Sequence, residues 1–345
     1  MKIFLPTVAY TALACLLAVS APPICQAQSY TITTVAGGGN TGASGDSIGD
    51  GGPATSAYLL PTGVAVDSAG NLYIADPSNN IIRKVTTDGL ISTIAGDAVG
   101  RTFGNSGDGG PATSALLNHP QDVALDSAGN LYISDTGNAT IRMVSTAGII
   151  TTVAGPSGLA WPAGIAVDST GALYIADRDA NNVRKVTPDG AITTVAGCLV
   201  CLSLGDGGAA TKAPLSMPFS VAVDSAGALY IADTLHFRIR KVSADGTITT
   251  VAGSDAASYS GDGGPATSAG LNIPKGVAVD GAGNLYVADT GDQRIRMVTP
   301  DGTITTIAGN GAQDALSMPG AMAVGAAGTL YFVDSSLVRL LTPTQ

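Results

Sequence analysis

Glutamate is missing from this 345-residue chain, so all 26 of its acids are aspartates. Aromatics are scarce at 5%, and there are four cysteines, two histidines and a single tryptophan. Each shortage excludes something. Aspartate favours turns and caps while glutamate favours helix interiors, so this acid complement speaks against long helices. His119 and His236 are too few for a three-histidine zinc site. No G-x-S-x-G elbow, H-E-x-x-H helix or coherent nucleophile–base pair is present. Sixteen bases against 26 acids give a net charge of −10, which argues against a nucleic-acid partner, because phosphate binding relies on a basic face. Glycine is plentiful instead, with 46 residues, and points to many short strands joined by tight turns.

Residues 1–27 read as a secretory signal: Lys2 gives a positive start, an apolar run continues to Val19, and Cys25-Gln26-Ala27 offers small residues for cleavage. The run is short and proline-broken for a bilayer span, and no other stretch is long enough. Cleavage removes Lys2, Cys15 and Cys25, leaving 16 − 1 = 15 bases against 26 acids and a net charge of −11. The expected location is periplasmic or secreted, with residues 28–345 as the folded part. In such an oxidising compartment the remaining pair, Cys198 and Cys201, reads as a local disulfide. A zinc site would want a second C-x-x-C, and a redox motif would want a βαβ context.

Internal repetition organises the rest of the chain. The unit Leu60–Gly96, "LPTGVAVDSAGNLYIADPSNNIIRKVTTDGLISTIAG", recurs from His119, Trp161, Met217 and Ile273, and in shortened form from Met318. Each unit carries strand signals in "GVAVD", "LYIAD", "IIRKV" and "LISTIAG", separated by turn residues, and Asp-Gly between apolar runs is a strong hairpin signal. The unit is therefore a four-stranded antiparallel meander. In "NLYIAD", Leu72 and Ile74 point one way and Tyr73 and Ala75 the other, so both faces of the sheet call for burial. Radial stacking as a β-propeller meets that demand. The sixth unit lacks a final strand, whereas "YTITTVAG" (Tyr30–Gly37) matches the fourth strand of all the others. The expected fold is all-β, a six-bladed propeller closed by its N-terminal strand.

The "PxGVAVD…GNLYVAD…RIRKV" pattern resembles the NHL repeat family, and the resemblance covers nearly the whole of residues 28–345. The "SGDGGPATSA" linkers look like those of bacterial secreted NHL repeat-containing proteins and of teneurin NHL propellers. This likeness is specific for fold and poor for function, because one scaffold serves binders and enzymes alike.

The linker motif "GDGGPATSA" stands at Gly49–Ala57, Gly107–Ala115 and Gly261–Ala269, with "GDGGAATKA" at Gly205–Ala213. A phosphate loop would need Lys-Ser or Lys-Thr after the glycines, and calcium would need six to eight oxygens where most copies bring one aspartate. The motif reads instead as a clasp: Gly-Gly for a bend, Pro53, Pro111 and Pro265 opening a short helical turn, and Leu59, Leu116 and Leu271 packing down. Linkers before blades 1, 2, 4 and 5 carry it, while those before blades 3 and 6 are short. That order predicts a shallow groove between two raised rims, with Trp161 in one gap.

Residues present in every blade serve the blade. Asp76, Asp135, Asp177, Asp233, Asp289 and Asp334, with the third-strand arginines Arg83, Arg142, Arg184, Arg240, Arg296 and Arg339, read as scaffold hydrogen bonds and ion pairs. Residues that break the pattern are the candidate ligand-binding set: Trp161, Gln121, Asp122, Phe219, Lys275, His236 and Arg178. No catalytic or metal-binding residue is assigned and no cofactor is expected. A calcium site of Asp and Asn, with Asp122 its obvious member, is the one metal site that composition leaves open.

The function expected is a non-catalytic, monomeric propeller binding a peptide, protein or glycan on its grooved linker face. The resemblance implies an alternative, since related six-bladed propellers include a zinc-dependent amidating lyase and calcium-dependent lactonases: a metal-dependent lyase or lactonase with its site at the channel mouth. A structural or adhesive module of the cell envelope is the third reading.

Overall fold

The computed structural model of the chain describes residues 29–39, 48–99, 101–201, 203–310 and 314–344. The signal segment lies outside the described residues. Six four-stranded antiparallel sheets form the blades, five of them ordered along the chain from an inner first strand to an outer fourth. In blade 1 these strands are Gly63–Val66, Leu72–Asp76, Ile81–Val85 and Ile91–Ala95. The inner strands of successive blades contact one another around a central channel.

Alternation along the strands explains the stacking. Leu72 and Ile74 pack with Val333 and Val338 of blade 6, while Ala75, with Tyr73 beside it, packs toward Val123 and Ile133 of blade 2. Both faces of each sheet are therefore interior, which leaves no wet face for polar residues to occupy. The ring closes in blade 6: Tyr30–Gly37 pairs antiparallel with Leu337–Pro343, from Tyr30 opposite Pro343 to Gly37 opposite Leu337. The Thr344 N–H donates to the Ser29 carbonyl at 2.8 Å, continuing that pairing.

The turn aspartates act locally. Asp67 Oδ1 accepts the N–H groups of Ala69 and Asn71, and the Tyr73 hydroxyl donates to Oδ2. Asp126 and Asp280 repeat the arrangement. Desolvation works on Asp67 in the opposite sense, yet these donors together hold its carboxyl below the usual range.

The clasp is an edge device. Gly109 donates to the Ile150 carbonyl at 2.8 Å, and Ile150 donates back to Gly110 at 3.1 Å, so the linker pairs with the free side of its own blade's outer strand. The Gly96 N–H, at the end of the preceding blade, bonds the Ala112 carbonyl at 3.0 Å, so the clasp spans two blades. Its proline precedes a single 3-10 turn, Ala112–Ser114 in blade 2. The motif's aspartate carries more than a turn. Asp50, Asp108, Asp206 and Asp262 lie 2.5–2.7 Å from Arg83, Arg142, Arg240 and Arg296, four guanidinium groups with no solvent exposure.

In the blades without a clasp the arginine is satisfied differently: Arg184 donates to Thr194 Oγ1 at 2.6 Å, and Arg339 pairs with Asp334 at 3.0 Å. The packing leucine of blade 2 is Leu117, fully buried, rather than Leu116, because it stands two residues after the clasp alanine as Leu59 and Leu271 do. The clasps thus lie at the circumference and build no raised rims. The expected two-rimmed groove is replaced by the features described next.

Candidate functional site

In an antiparallel meander the linkers between blades and the loops between second and third strands share one end of the ring. The residue before each blade-opening proline sits there, and Leu60, Met217 and Met318 are exposed. The second-strand aspartates fix this level. Asp135 accepts the Asn118 N–H at 2.7 Å, Asp177 that of Trp161 at 2.7 Å, and Asp233 that of Ser216 at 2.7 Å. They also reach their arginines in blades 2, 4 and 5, at 3.3–3.5 Å. Burial pushes Asp135 up to about 6 and Asp289 up to about 7 against those partners. These are scaffold groups.

A cavity of about 370 Å³ opens on this end over blades 1, 4, 5 and 6. Leu60, Pro61, Pro77, Phe219, Met318, Pro319 and Val333 give it apolar walls, and Thr62, Ser78, Thr290, Ser335 and Lys275 are its polar members. Beneath it the mouth narrows to a pocket of about 10 Å³ between Thr62, Gln121, Asp122, Phe219, Ser220 and Lys275. The channel below holds about 260 Å³ and is walled by first-strand Val, Ala, Leu, Ile and Met alone. It offers no side-chain ligand for a metal.

Of the candidate residues, Phe219 and Lys275 meet in the cavity, with the Lys275 ammonium 5.5 Å from the Phe219 ring centroid. Gln121 and Asp122 lie just beneath, in the narrow pocket. Asp122 Oδ2 accepts the Ile165 N–H of the next blade at 3.1 Å. The absence of a side chain at Gly63 makes room for it, since a Cβ there would stand 2.5 Å from Oδ1. Burial at this level raises the Asp122 carboxyl to about 7, despite N–H bonds from Ile165 and Val123. No second acid lines that pocket. Among the described residues no three His, Cys or acidic side chains stand close enough to hold a metal ion.

Trp161 and Arg178 form a separate pair, the guanidinium 4.9 Å from the half-buried ring and also bonded to Asp179. His236 belongs to the scaffold: its Nδ1 lies 2.9 Å from Asp233 Oδ2, where Asn79 and Asn138 donate to Asp76 and Asp135 in other blades. Cys198 and Cys201 are joined as a disulfide, which holds Leu199 and Val200 out at 76% and 87% exposure. Sequence reasoning overlooked Leu60 and Met318; a comparison of the residues before the blade-opening prolines, Leu60, His119, Trp161, Met217, Ile273 and Met318, would have shown them.

The exposed large apolar side chains are unevenly placed. Among the described residues, Leu90 and Ile149 lie in turns at the opposite end, and Tyr259 lies on the flank stacked on Arg294 and Arg296. The rest belong to the linker end: Leu60, Met217, Met318, Leu235 and the loop residues Val99, Phe103, Leu199 and Val200.

The teneurin NHL domain family matches residues 25–104, 101–160, 200–260 and 256–314, and the NHL repeat family matches 159–186. Teneurin-4 of Mus musculus is 33% identical over 268 residues, covering 72% of this chain and 8% of its own length. This chain thus corresponds to a small part of the curated relatives it matches. Among solved structures, an auxiliary nutrient binding protein from Bacteroides thetaiotaomicron superposes with a TM-score of 0.66 at 14% identity, covering 92% of this chain and 78% of its own. Virginiamycin B lyase from Staphylococcus aureus superposes at 0.55 and 14% identity, covering 92% and 100%. At these identities the two structures share the fold alone.

Proposed function

The chain belongs to the teneurin-type NHL propellers, and from that premise we propose that it is an exported binding module. It holds a peptide, protein or glycan on its linker end and carries out no chemistry of its own. The observation that supports this reading is the one-sided distribution of exposed apolar side chains. Single exposed apolar residues need no explanation, but a set gathered on the end of a ring that also opens a cavity is the usual mark of an interaction surface. Half-buried Trp161 stacked on Arg178 supplies the kind of anchor that dominates binding energy at such surfaces. No described helix is long and apolar enough to cross a membrane. With the signal-like residues 1–27, this favours a periplasmic or secreted protein.

The test is to screen peptide and glycan arrays with residues 28–345, then compare variants at the two ends. Trp161→Ala and Phe103→Ser should each weaken a captured ligand at least tenfold, while Leu90→Ser and Ile149→Ser leave it unchanged. Ligands sensitive only to the Leu90 and Ile149 variants, or a screen that captures nothing, would reject the reading. One observation favours a second reading: Asp122 titrates near neutrality at the channel mouth, as a general acid or base would. A lactonase or lyase activity abolished by Asp122→Asn would replace the binding reading.

A further inference from the structure

The cavity over blades 1, 4, 5 and 6 has a chemistry that narrows its occupant. Its walls are apolar, and Lys275 is the one charged group among its lining residues. Among the described residues no carboxylate lies within ion-pair distance of the Lys275 ammonium; the Phe219 ring at 5.5 Å is its aromatic neighbour. Lys185 has Asp168 at 3.9 Å and Arg178 has Asp179 at 2.8 Å, whereas Lys84 and Lys241, like Lys275, have an aromatic ring beside them. Of these three lysines Lys275 is the one that lines this cavity. A cation left without a counter-charge beside an apolar pocket calls for a ligand that supplies one. The ligand's charge must be small and local, since a chain of net charge −10 repels a polyanion.

Shape narrows it further. At about 370 Å³ the cavity takes a residue or so of a chain, and the pocket of about 10 Å³ beneath it leaves no room for a further residue. A chain terminus fills such a floor without having to turn back out across the open side. Above it, exposed Met217 stands at the same level of the ring as Leu60 and Met318, beyond the volume a small acid would fill, and can carry the preceding residues of a longer ligand.

We propose that this cavity receives the C-terminal residue of an apolar peptide, its side chain between Leu60, Phe219 and Met318 and its terminal carboxylate on Lys275. The inference rests on the binding reading above and specifies the ligand of that same end.

The experiment uses residues 28–345 and two five-residue peptide libraries ending in Leu, Val or Phe, one with free carboxylates and one amidated. The free acids should bind at least tenfold more tightly than the amides by calorimetry. Lys275→Gln should bring the acids down to the amides without changing the amides, and Lys275→Arg should restore the preference. Lys275 makes no ion pair that the fold depends on, so near-UV circular dichroism should show Lys275→Gln folded. Equal binding of acids and amides, or a preference that survives Lys275→Gln, would overturn the assignment while leaving the binding reading standing. Free 4-methylpentanoate binding as tightly as the peptides would overturn the chain-end part in favour of a small carboxylic acid. Failure of both libraries would overturn the assignment, and the Trp161 and Leu90 comparison, which does not involve Lys275, would judge the binding reading separately.

Discussion

Asp122 occupies a position filled by glycine in blades 1, 3 and 5 and by Ser220 in blade 4, so its carboxyl is an option the fold does not require. Burial raises it from 3.8 to about 7, which means the native state keeps the proton that the unfolded chain loses. Stability from this group is therefore full below about pH 4 and drains away as pH rises through about 7. Complete burial would make that loss about 4 kcal/mol; the carboxyl sits at a half-open mouth, so about 1–2 kcal/mol is expected. Asp122→Ser should then be more stable than the parent at pH 8 and close to it at pH 4, read from urea midpoints at both. A parent whose midpoint rises between pH 5 and 8 relative to the variant would contradict this. Asp262, a clasp aspartate whose carboxyl is held below its usual range, acts in the opposite sense. Asp262 sits 2.5 Å from the fully buried Arg296 and takes further hydrogen bonds from Tyr259 and the Thr306 N–H. Asp262→Asn leaves that guanidinium without its close counter-charge and should cost about 2–3 kcal/mol, below the range for wholly buried pairs because the acid itself is partly exposed. Thr194→Ala in blade 3, where the partner of Arg184 is a neutral hydroxyl, should cost less, and the two can be compared by equilibrium unfolding.

Among the elements, the clasp shows what a repeated sequence reveals and what it hides. The blades were legible because their signal is local: strand alternation, Asp-Gly turns and a missing last strand all lie within one unit. The clasp's structural role was legible too, but its partner was not, since Asp108 and Arg142 stand 34 residues apart in sequence. The clue was available in which blades carry the motif, because the four clasp aspartates match the four arginines without solvent exposure. Linker length was misread as height. A long linker that pairs with an outer strand adds width to the ring, and nothing in its composition says which way it will lie. His236 misled for a related reason, as an imidazole in a loop reads as a site until it is seen to occupy the place of Asn79 and Asn138. The clasp glycines offer a matched test. Gly107 and Gly109 both adopt positive φ, so alanine at either should cost about 1 kcal/mol. A Cβ on Gly109 meets nothing within 4 Å, whereas one on Gly107 would stand 2.6 Å from the Ala115 Cα. Gly107→Ala should therefore cost at least about 2 kcal/mol more than Gly109→Ala, because backbone must shift to relieve the contact. Equal losses would mean that the clasp yields freely and does not brace the neighbouring blades.

Across the whole molecule, every blade depends on two neighbours, and the ring depends on the pairing between Tyr30–Gly37 and Leu337–Pro343. Without the first of these strands, the last blade presents a bare edge from Leu337 to Pro343 and uncovers Val338 and Leu341, both fully buried in the closed ring. An exposed apolar edge strand is a template for pairing with another chain. A variant beginning at Gly38 should consequently melt with reduced cooperativity and self-associate, visible in sedimentation as species larger than a monomer. The same argument predicts a rescue. The other blades join their third and fourth strands through a tight turn, such as Thr86–Leu90 with its Asp-Gly. Thr344 already bonds Ser29 where that turn would run. Following Thr344 with Gln345, Asp-Gly and the sequence Ser29–Gly37 in the truncated variant supplies the three loop residues that separate Thr86 from Leu90, and would let the strand re-enter the same register as a local hairpin. Monomeric sedimentation and a cooperative melt should return together, because a single set of backbone bonds closes the blade and covers the edge. A truncated variant that stays monomeric with an unchanged melting midpoint would show that blade-to-blade packing alone holds the ring, and that the closing strand contributes little to it.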